Sequence, residues 1–119
     1  MSTFNLNNVF LTVQIADVSS ADQVYIPITD ETAGEVVEIR TAIDGAITSV
    51  DAIITPKIGG TAMTNGAITI AFSGSAAGTT DVSRPTGLRT VAAGDAIEIE
   101  TNGASTGTRK LAVTIVIKR

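Results

Sequence analysis

The chain has 119 residues, with eight Lys and Arg against twelve Asp and Glu, a formal net charge of −4, and neither cysteine nor histidine. That length fits one domain, and the acidic balance argues against general nucleic-acid binding, which needs a Lys/Arg surplus to clamp phosphates. Without cysteine there is no disulfide framework or thiolate metal site; without histidine there is no Ser-His-Asp or Cys-His arrangement and no ordinary general base at neutral pH.

Hydrophobic residues make up 44% of the chain but aromatics only 3%. The core must be built from Ile, Val and Ala. Such β-branched side chains are stiff at χ1 and fit a pleated surface, which suits packed sheets.

Residues 1 to 8, Met1-Ser2-Thr3-Phe4-Asn5-Leu6-Asn7-Asn8, lack the charged n-region and long apolar run of a signal peptide. No stretch of the chain reaches membrane-spanning length. Phe4 and Leu6 stand isolated among polar residues, so 1–8 reads as an arm. It either frays or docks on a neighbouring subunit. The domain proper is then 9–119.

From Val9 the alternation is strict: Val9, Leu11, Val13 and Ile15 against Phe10, Thr12, Gln14 and Ala16, a half-buried strand. After a Ser/Asp-rich break, Val24, Ile26 and Ile28 alternate with Tyr25 and Pro27. Proline cannot donate to a ladder, so this strand is an edge or bends there. Val37, Ile39, Thr41 and Ile43 share the next face, with Glu38 and Arg40 on the other, and Asp44-Gly45 signals a turn. Ala52, Ile54, Pro56 and Ile58 form another alternating set, interrupted by its proline, and Ile68, Ile70 and Phe72 a further strand.

Ser73 to Thr90 is rich in Ser, Thr and Gly and carries Asp81, Arg84, Pro85 and Arg89. A loop this long is uncommon in a compact domain; it is expected to be a contact surface with one helical turn. Val91 to Gly103 follows, a Gly94-Asp95 corner and a short strand in which Ile97 and Ile99 alternate with Glu98 and Glu100. The last strand, about Arg109 to Lys118, points Leu111, Val113, Ile115 and Ile117 inward and is expected to pair antiparallel with it. About seven or eight strands without an amphipathic helix give an all-β antiparallel sandwich, jelly-roll-like.

Chemistry is hard to find. Gly74-Ser75-Ala76-Ala77-Gly78 has no following Gly-Lys-Ser/Thr and is no phosphate loop. Glu98 and Glu100 share one strand face, about 7 Å apart. That spacing is open to acid/base work but better read as an outer face paired with Arg109 or Lys110 on the neighbouring strand. Asp30, Glu31 and Asp44 lack calcium-loop spacing. Tyr25 and Phe10 alone make a poor stacking platform for sugar or single-stranded nucleic acid. Ile53, Val116 and Phe10 lie on nominally outer sides, so those faces are expected to be partly covered, by loops or by a symmetric partner.

One resemblance extends from about Gly45 to Arg119. It rests on Gly45-Ala46-Ile47-Thr48, Gly59-Gly60-Thr61-Ala62, Gly66-Ala67-Ile68-Thr69-Ile70, Gly74-Ser75-Ala76-Ala77-Gly78, Val91-Ala92-Ala93-Gly94-Asp95-Ala96-Ile97-Glu98 and Val113-Thr114-Ile115. In these the chain resembles small virion proteins encoded beside capsid genes in tailed bacteriophages. The resemblance implies a capsid decoration, or cementing, protein: a non-enzymatic sandwich without cofactor or metal that binds the major capsid protein on the head surface and stabilises the shell. It also implies a homo-oligomer, with a trimer favoured, assembled in the host cytoplasm and binding neither nucleic acid nor membrane. Phe4 and Leu6 of the arm and Arg84 and Arg89 of the long loop are the expected partner contacts. The alternative is a carbohydrate-binding or adhesion module of a phage fibre or secreted protein.

Overall fold

A computed structural model describes residues 8–119, so Phe4, Leu6 and the rest of the arm up to residue 7 lie outside the described residues. Asn8, assigned to the arm by its polarity, opens the first strand instead.

Among the described residues ten strands follow in order: β1 Asn8–Ile15, β2 Gln23–Pro27, β3 Gly34–Ile43, β4 Ala52–Ile58, β5 Thr61–Ala62, β6 Ile68–Ile70, β7 Thr80–Ser83, β8 Thr90–Val91, β9 Ala96–Thr101 and β10 Leu111–Lys118. They form two five-stranded antiparallel sheets. The first runs β1-β10-β3, with β7 and β8 both on the far side of β3; the second runs β2-β9-β4, with β5 and β6 on the far side of β4. Setting aside the two-residue strands β5 and β8, the order β1-β10-β3-β7 over β2-β9-β4-β6 is that of a jelly roll. The chain is an all-β sandwich, as its period-two pattern indicates.

The core lies between the sheets. Ile39 and Ile43 of β3, Ile54 of β4, Ile97 and Ile99 of β9 and all four inward residues of β10 are buried. Burying each such side chain contributes about 1.5–3 kcal/mol relative to leaving it in water. The sheets are not sealed on every side. Val9, Leu11 and Val13 of β1 and Val24 of β2 face the core yet are only partly buried. Both strands are edges, on the same flank of the sandwich.

Several expectations need correction. The strand at Ala96–Thr101 does not pair with the final strand: β9 lies between β2 and β4, while β10 lies between β1 and β3 in the other sheet. Sequence adjacency suggested a hairpin, but the 102–110 connection crosses between sheets. Val37 is not on the core face. The β3–β10 register passes from Glu38↔Val116 to Val36↔Ile117, so Val37 is the extra residue of a β-bulge and Val36, 0% exposed, takes the inward place. The long loop has no helical turn; β7 rises from its middle and pairs with β3. Phe72 falls beyond β6 and stands 46% exposed.

Pro56 sits inside β4, which is flanked on both sides, where a missing N–H would break a ladder. It is accommodated because the flanking strand is split. β6 pairs with Ala52 to Ile54 and β5 with Lys57 and Ile58, leaving Pro56 opposite the gap. Its carbonyl accepts a 2.9 Å bond from Met63 N on that side. In an antiparallel strand a residue's N and C=O point the same way, so the proline nitrogen faces the gap. Pro27 ends edge strand β2, as expected of a residue that cannot donate.

Asp81 of β7 pairs with Thr41 of β3, whose side chain is buried with its Oγ1 unpartnered. Burial raises the Asp81 pKa above the ordinary 3.8. The folded state therefore holds the Asp81 proton more tightly than the unfolded state does. Its contribution to stability falls as pH rises from 3.8 through the folded value. Asp81→Asn is expected to match the parent in urea midpoint near pH ~3 and to exceed it at pH ~7. Equal midpoints at both pH values would contradict the burial of this carboxyl.

Candidate functional site

One end of the sandwich gathers the unusual features. Asn8 of β1, Lys118 of β10, Glu35 of β3 and Thr90 of β8 stand in one row across the first sheet. Beyond that row lies an open cleft of about 640 Å³, lined by Glu35 and Thr90 from one sheet, Ile58 and Thr61 from the other, and Thr86 to Arg89 from the segment between. A volume of a few hundred Å³ is ordinary for a binding cleft.

The 86–90 segment bridges the sheets and is fastened at both ends. Thr86 N donates to Thr64 O and Thr64 N to Gly87 O, both at 2.9 Å, and Asn65 Nδ2 donates to Thr86 Oγ1 at 2.8 Å. At the other end Val36 N donates to Arg89 O at 2.9 Å. Between these anchors Leu88 is held at φ 52° and 62% exposed. A bulky non-glycine residue in the left-handed region is uncommon and costs on the order of 1–3 kcal/mol.

Arg89 is fixed as part of the wall. Its Nη2 is 3.0 Å from Glu35 Oε2, and Nη1 donates to Val36 O at 3.3 Å. Next to the cleft, sharing Glu35, Arg89 and Thr90 with it, is a smaller hollow of about 410 Å³ that extends to Lys118 and Arg119.

Arg84 lies elsewhere. On the outer face of the first sheet its Nη2 is 3.1 Å from Glu38 Oε1, while Arg40 Nε approaches the other carboxylate oxygen at 2.9 Å. Hydrogen bonding from Arg40, with both guanidinium charges, holds the Glu38 carboxyl below the usual carboxylate range. The group is exposed, so the pairing contributes little to stability. The same face carries Phe10, 66% exposed, beside Val116, which is only 7% exposed. Val116 is thus covered as expected, Ile53 is half-buried, and Phe10 is open to solvent.

The structure therefore does not bring Arg84 and Arg89 together. Leu88, Glu35 and Thr86 were missed by sequence reasoning; the signal available was a lone leucine in a polar stretch. The carboxylate pair is resolved differently from expectation. Lys57 Nζ of β4 lies 3.3 Å from Glu100, replacing Arg109 and Lys110, which sit in the connection leading to β10. Arg109 instead donates from Nε to Ala46 O at 3.0 Å. Among the described residues no group of three or more acidic side chains could hold a metal ion.

Exposed aromatic rings are dispersed. Phe10 is on the outer face of the first sheet and Tyr25, 62% exposed, on that of the second. Phe72 follows β6, on the far side of β4 and β9 from Tyr25.

No protein-family model and no curated protein matches the chain. Solved structures share its fold. A chain of the acid-stable capsid of Helicobacter pylori bacteriophage KHP30 aligns over 98% of this chain and 90% of its own, with TM-score 0.56 and 10% identity. A chain of the cyanophage Pam1 capsid aligns over 99% and 89%, with TM-score 0.54 and 15% identity. The CsCBM6-3 module of Clostridium stercorarium, solved in complex with cellobiose, aligns over 100% and 88%, with TM-score 0.53 and 14% identity. At these identities the likeness is one of fold, common to phage capsid proteins and carbohydrate-binding modules.

Proposed function

We propose that this chain is a non-enzymatic structural protein of a phage particle, a decoration protein that docks on the outside of the head through contacts to the major capsid protein. The observation that carries this reading over sugar binding is the dispersal of Phe10, Tyr25 and Phe72 over separate surfaces. A glycan ring needs an aromatic face with polar groups converging beside it. Here the exposed apolar side chains instead stand singly on a sheet face and at the rim of a cleft, beside arginines already held by carboxylates. That is the mixed surface of a protein–protein contact.

One further observation agrees. One carboxylate of the Glu98–Glu100 face is already engaged by Lys57, whose Nζ lies 3.3 Å from Glu100. The protein acts as a homo-oligomer, a trimer being the favoured form, on the virion surface.

Purified protein mixed with undecorated heads of the encoding phage is expected to co-sediment to saturation and to raise the temperature at which the heads release DNA. Absence of co-sedimentation, together with binding to an oligosaccharide on a glycan array, would replace this reading with the carbohydrate-binding one.

A further inference from the structure

We infer that the open edge of β1 pairs with the same edge of a second copy of this chain, antiparallel about a two-fold axis at Thr12. The two first sheets then join into one. The contact goes beyond the proposed function and is independent of whether the protein binds heads. With a three-fold contact elsewhere on the surface it closes a D3 hexamer.

The direction of the β1 backbone groups follows from its neighbours. Ile43 N donates to Thr79 O at 3.1 Å and Ile43 O accepts from Gly78 N at 2.8 Å, both away from β10. In an antiparallel ladder, residues directly opposite turn their polar groups either toward each other or away. Leu111, opposite Ile43, therefore turns from β3 and bonds Ile15 on its other side. Alternation points Val9, Leu11 and Val13 at β10 and leaves N–H and C=O of Phe10, Thr12 and Gln14 on the open side. Among the described residues nothing pairs with them there.

Such a row is a template for another strand, and proteins usually blunt it with charge, proline or a bulge. β1, Asn-Val-Phe-Leu-Thr-Val-Gln-Ile, has none of these, and its register with β10 runs unbroken. The neighbouring edge β2 is blunted. Thr101 N donates to Asp22 O and Ile28 N to Asp95 O, so by alternation Gln23, Tyr25 and Pro27 face outward. Gln23 N is taken by Asp22 Oδ1 at 2.8 Å, and Pro27 has no N–H.

The occupant is a second copy because the edge is complementary to itself. Phe10, Thr12 and Gln14 are symmetric about Thr12. A two-fold there sets Thr12 against Thr12 and Phe10 against Gln14 of the second copy, satisfying every open N–H and C=O of the three. On the inward face Leu11 meets Val13 of the second copy, and both are only partly buried in the single chain. On the outer face Phe10, 66% exposed, lies beside the Gln14 stem of the second copy. A two-fold sets residues at the axis against their like, which disfavours charge there, and β1 carries none. The area suffices. A strand of eight residues runs about 27 Å, and two stacked sheets with their side chains span roughly 20 Å. The flank so covered is roughly 550 Å² per copy and about 1,100 Å² in all, above the ~1,000 Å² expected of a specific contact.

Charge at the axis supplies the test. Thr12 is exposed, so its side chain can be changed without touching the core. Thr12→Glu and Thr12→Lys are each expected to weaken the two-fold contact on the order of fivefold in light scattering, with the melting transition retained. An equal mixture of the two is expected to restore it as a mixed dimer. Thr12→Lys lowers the net charge, so its weakening would not come from overall repulsion. Unchanged association in both variants, or no recovery on mixing, would overturn the inference. Geometry gives a second reading. Val82 of β7 stands in the Thr12 row, through Thr114 and Arg40. Two copies of Val82 are then seven strand spacings apart, roughly 34 Å. Spin labels at Val82→Cys, the sole cysteine in that variant, are expected to report that separation; a pair distance far from it overturns the axis at Thr12. A monomeric parent chain overturns the inference outright. If that monomer binds heads and loses them on Thr12→Pro, the edge takes a strand of the capsid protein instead. A dimer with the Val82 distance that ignores heads supports the inference and removes the decoration reading.

Discussion

Gly103→Ala is expected to lower the melting temperature by roughly 10–15 °C, a loss of about 3 kcal/mol or more. Two costs add at this position. Gly103 has φ 67°, which an alanine adopts only with strain. A Cβ there would also collide with the backbone nitrogen of Ala21 and lie 2.8 Å from the carbonyl carbon of Ser20. Backbone cannot step aside as the end of a side chain can. The 20–22 segment is pinned as well, since Thr101 N donates to Asp22 O at 3.0 Å and Thr101 Oγ1 to Val18 O at 2.9 Å. Gly94→Val is the informative contrast. Gly94 has φ 93°, but a Cβ added there would meet nothing within 4 Å. Only the conformational cost remains, about 1–3 kcal/mol. A Gly103→Ala variant that melts within a few degrees of the parent would mean that the two segments are not in contact.

Ile99→Ala is expected to cost about 3–5 kcal/mol, read as a fall in the urea midpoint at unchanged slope. Ile99 is 0% exposed on β9, between Val24 of β2 and Pro56 of β4, and faces the core across from the first sheet. A side chain so enclosed leaves a cavity that its neighbours cannot refill. Leu11→Ala provides the comparison at the open flank. Leu11 is only partly buried, so water replaces part of the lost contact and a cost nearer ~1–2 kcal/mol is expected. Equal losses at the two positions would contradict an unsealed flank between β1 and β2.

Much of the sandwich is legible in the sequence because period two is a strong local signal. Val9 to Ile15 and Leu111 to Ile117 place their inward residues at period two, and both form strands where they read as strands. Asp95 is legible too: its carboxylate accepts Ala92 N at 2.8 Å, making the Gly94-Asp95 corner a structural turn. What the sequence conceals is non-local. The bulge at Val37 exists only because β10 opposes β3 in a shifted register, so Val36 and Val37 exchange places with no trace in either residue. Partner choice is hidden likewise: Glu98 and Glu100 announce an outer face but not that Lys57, more than forty residues earlier, lies beside it.

The cleft was the least legible. Arg89 stood out for its charge, yet its role as wall follows from Glu35 and the Val36 carbonyl, brought to it by β3. Leu88 reads in the sequence only as a lone leucine in a polar stretch; its left-handed backbone angle has no local signal.

The pairing of Asn8 with Lys118 and of Ile15 with Leu111 also governs how the molecule comes together. The first of the described strands has its ladder partner about a hundred residues later, and β3 shares that same partner. A large loop-closure entropy must therefore be met before the first sheet gains its β1–β10 and β10–β3 ladders, which places the chain among slow folders of high contact order. In that interval β1 is an apolar segment of high β-propensity, free of charge and proline, with nothing yet beside it. Yield during synthesis should thus depend on temperature and chain concentration more steeply than the stability of the finished protein does.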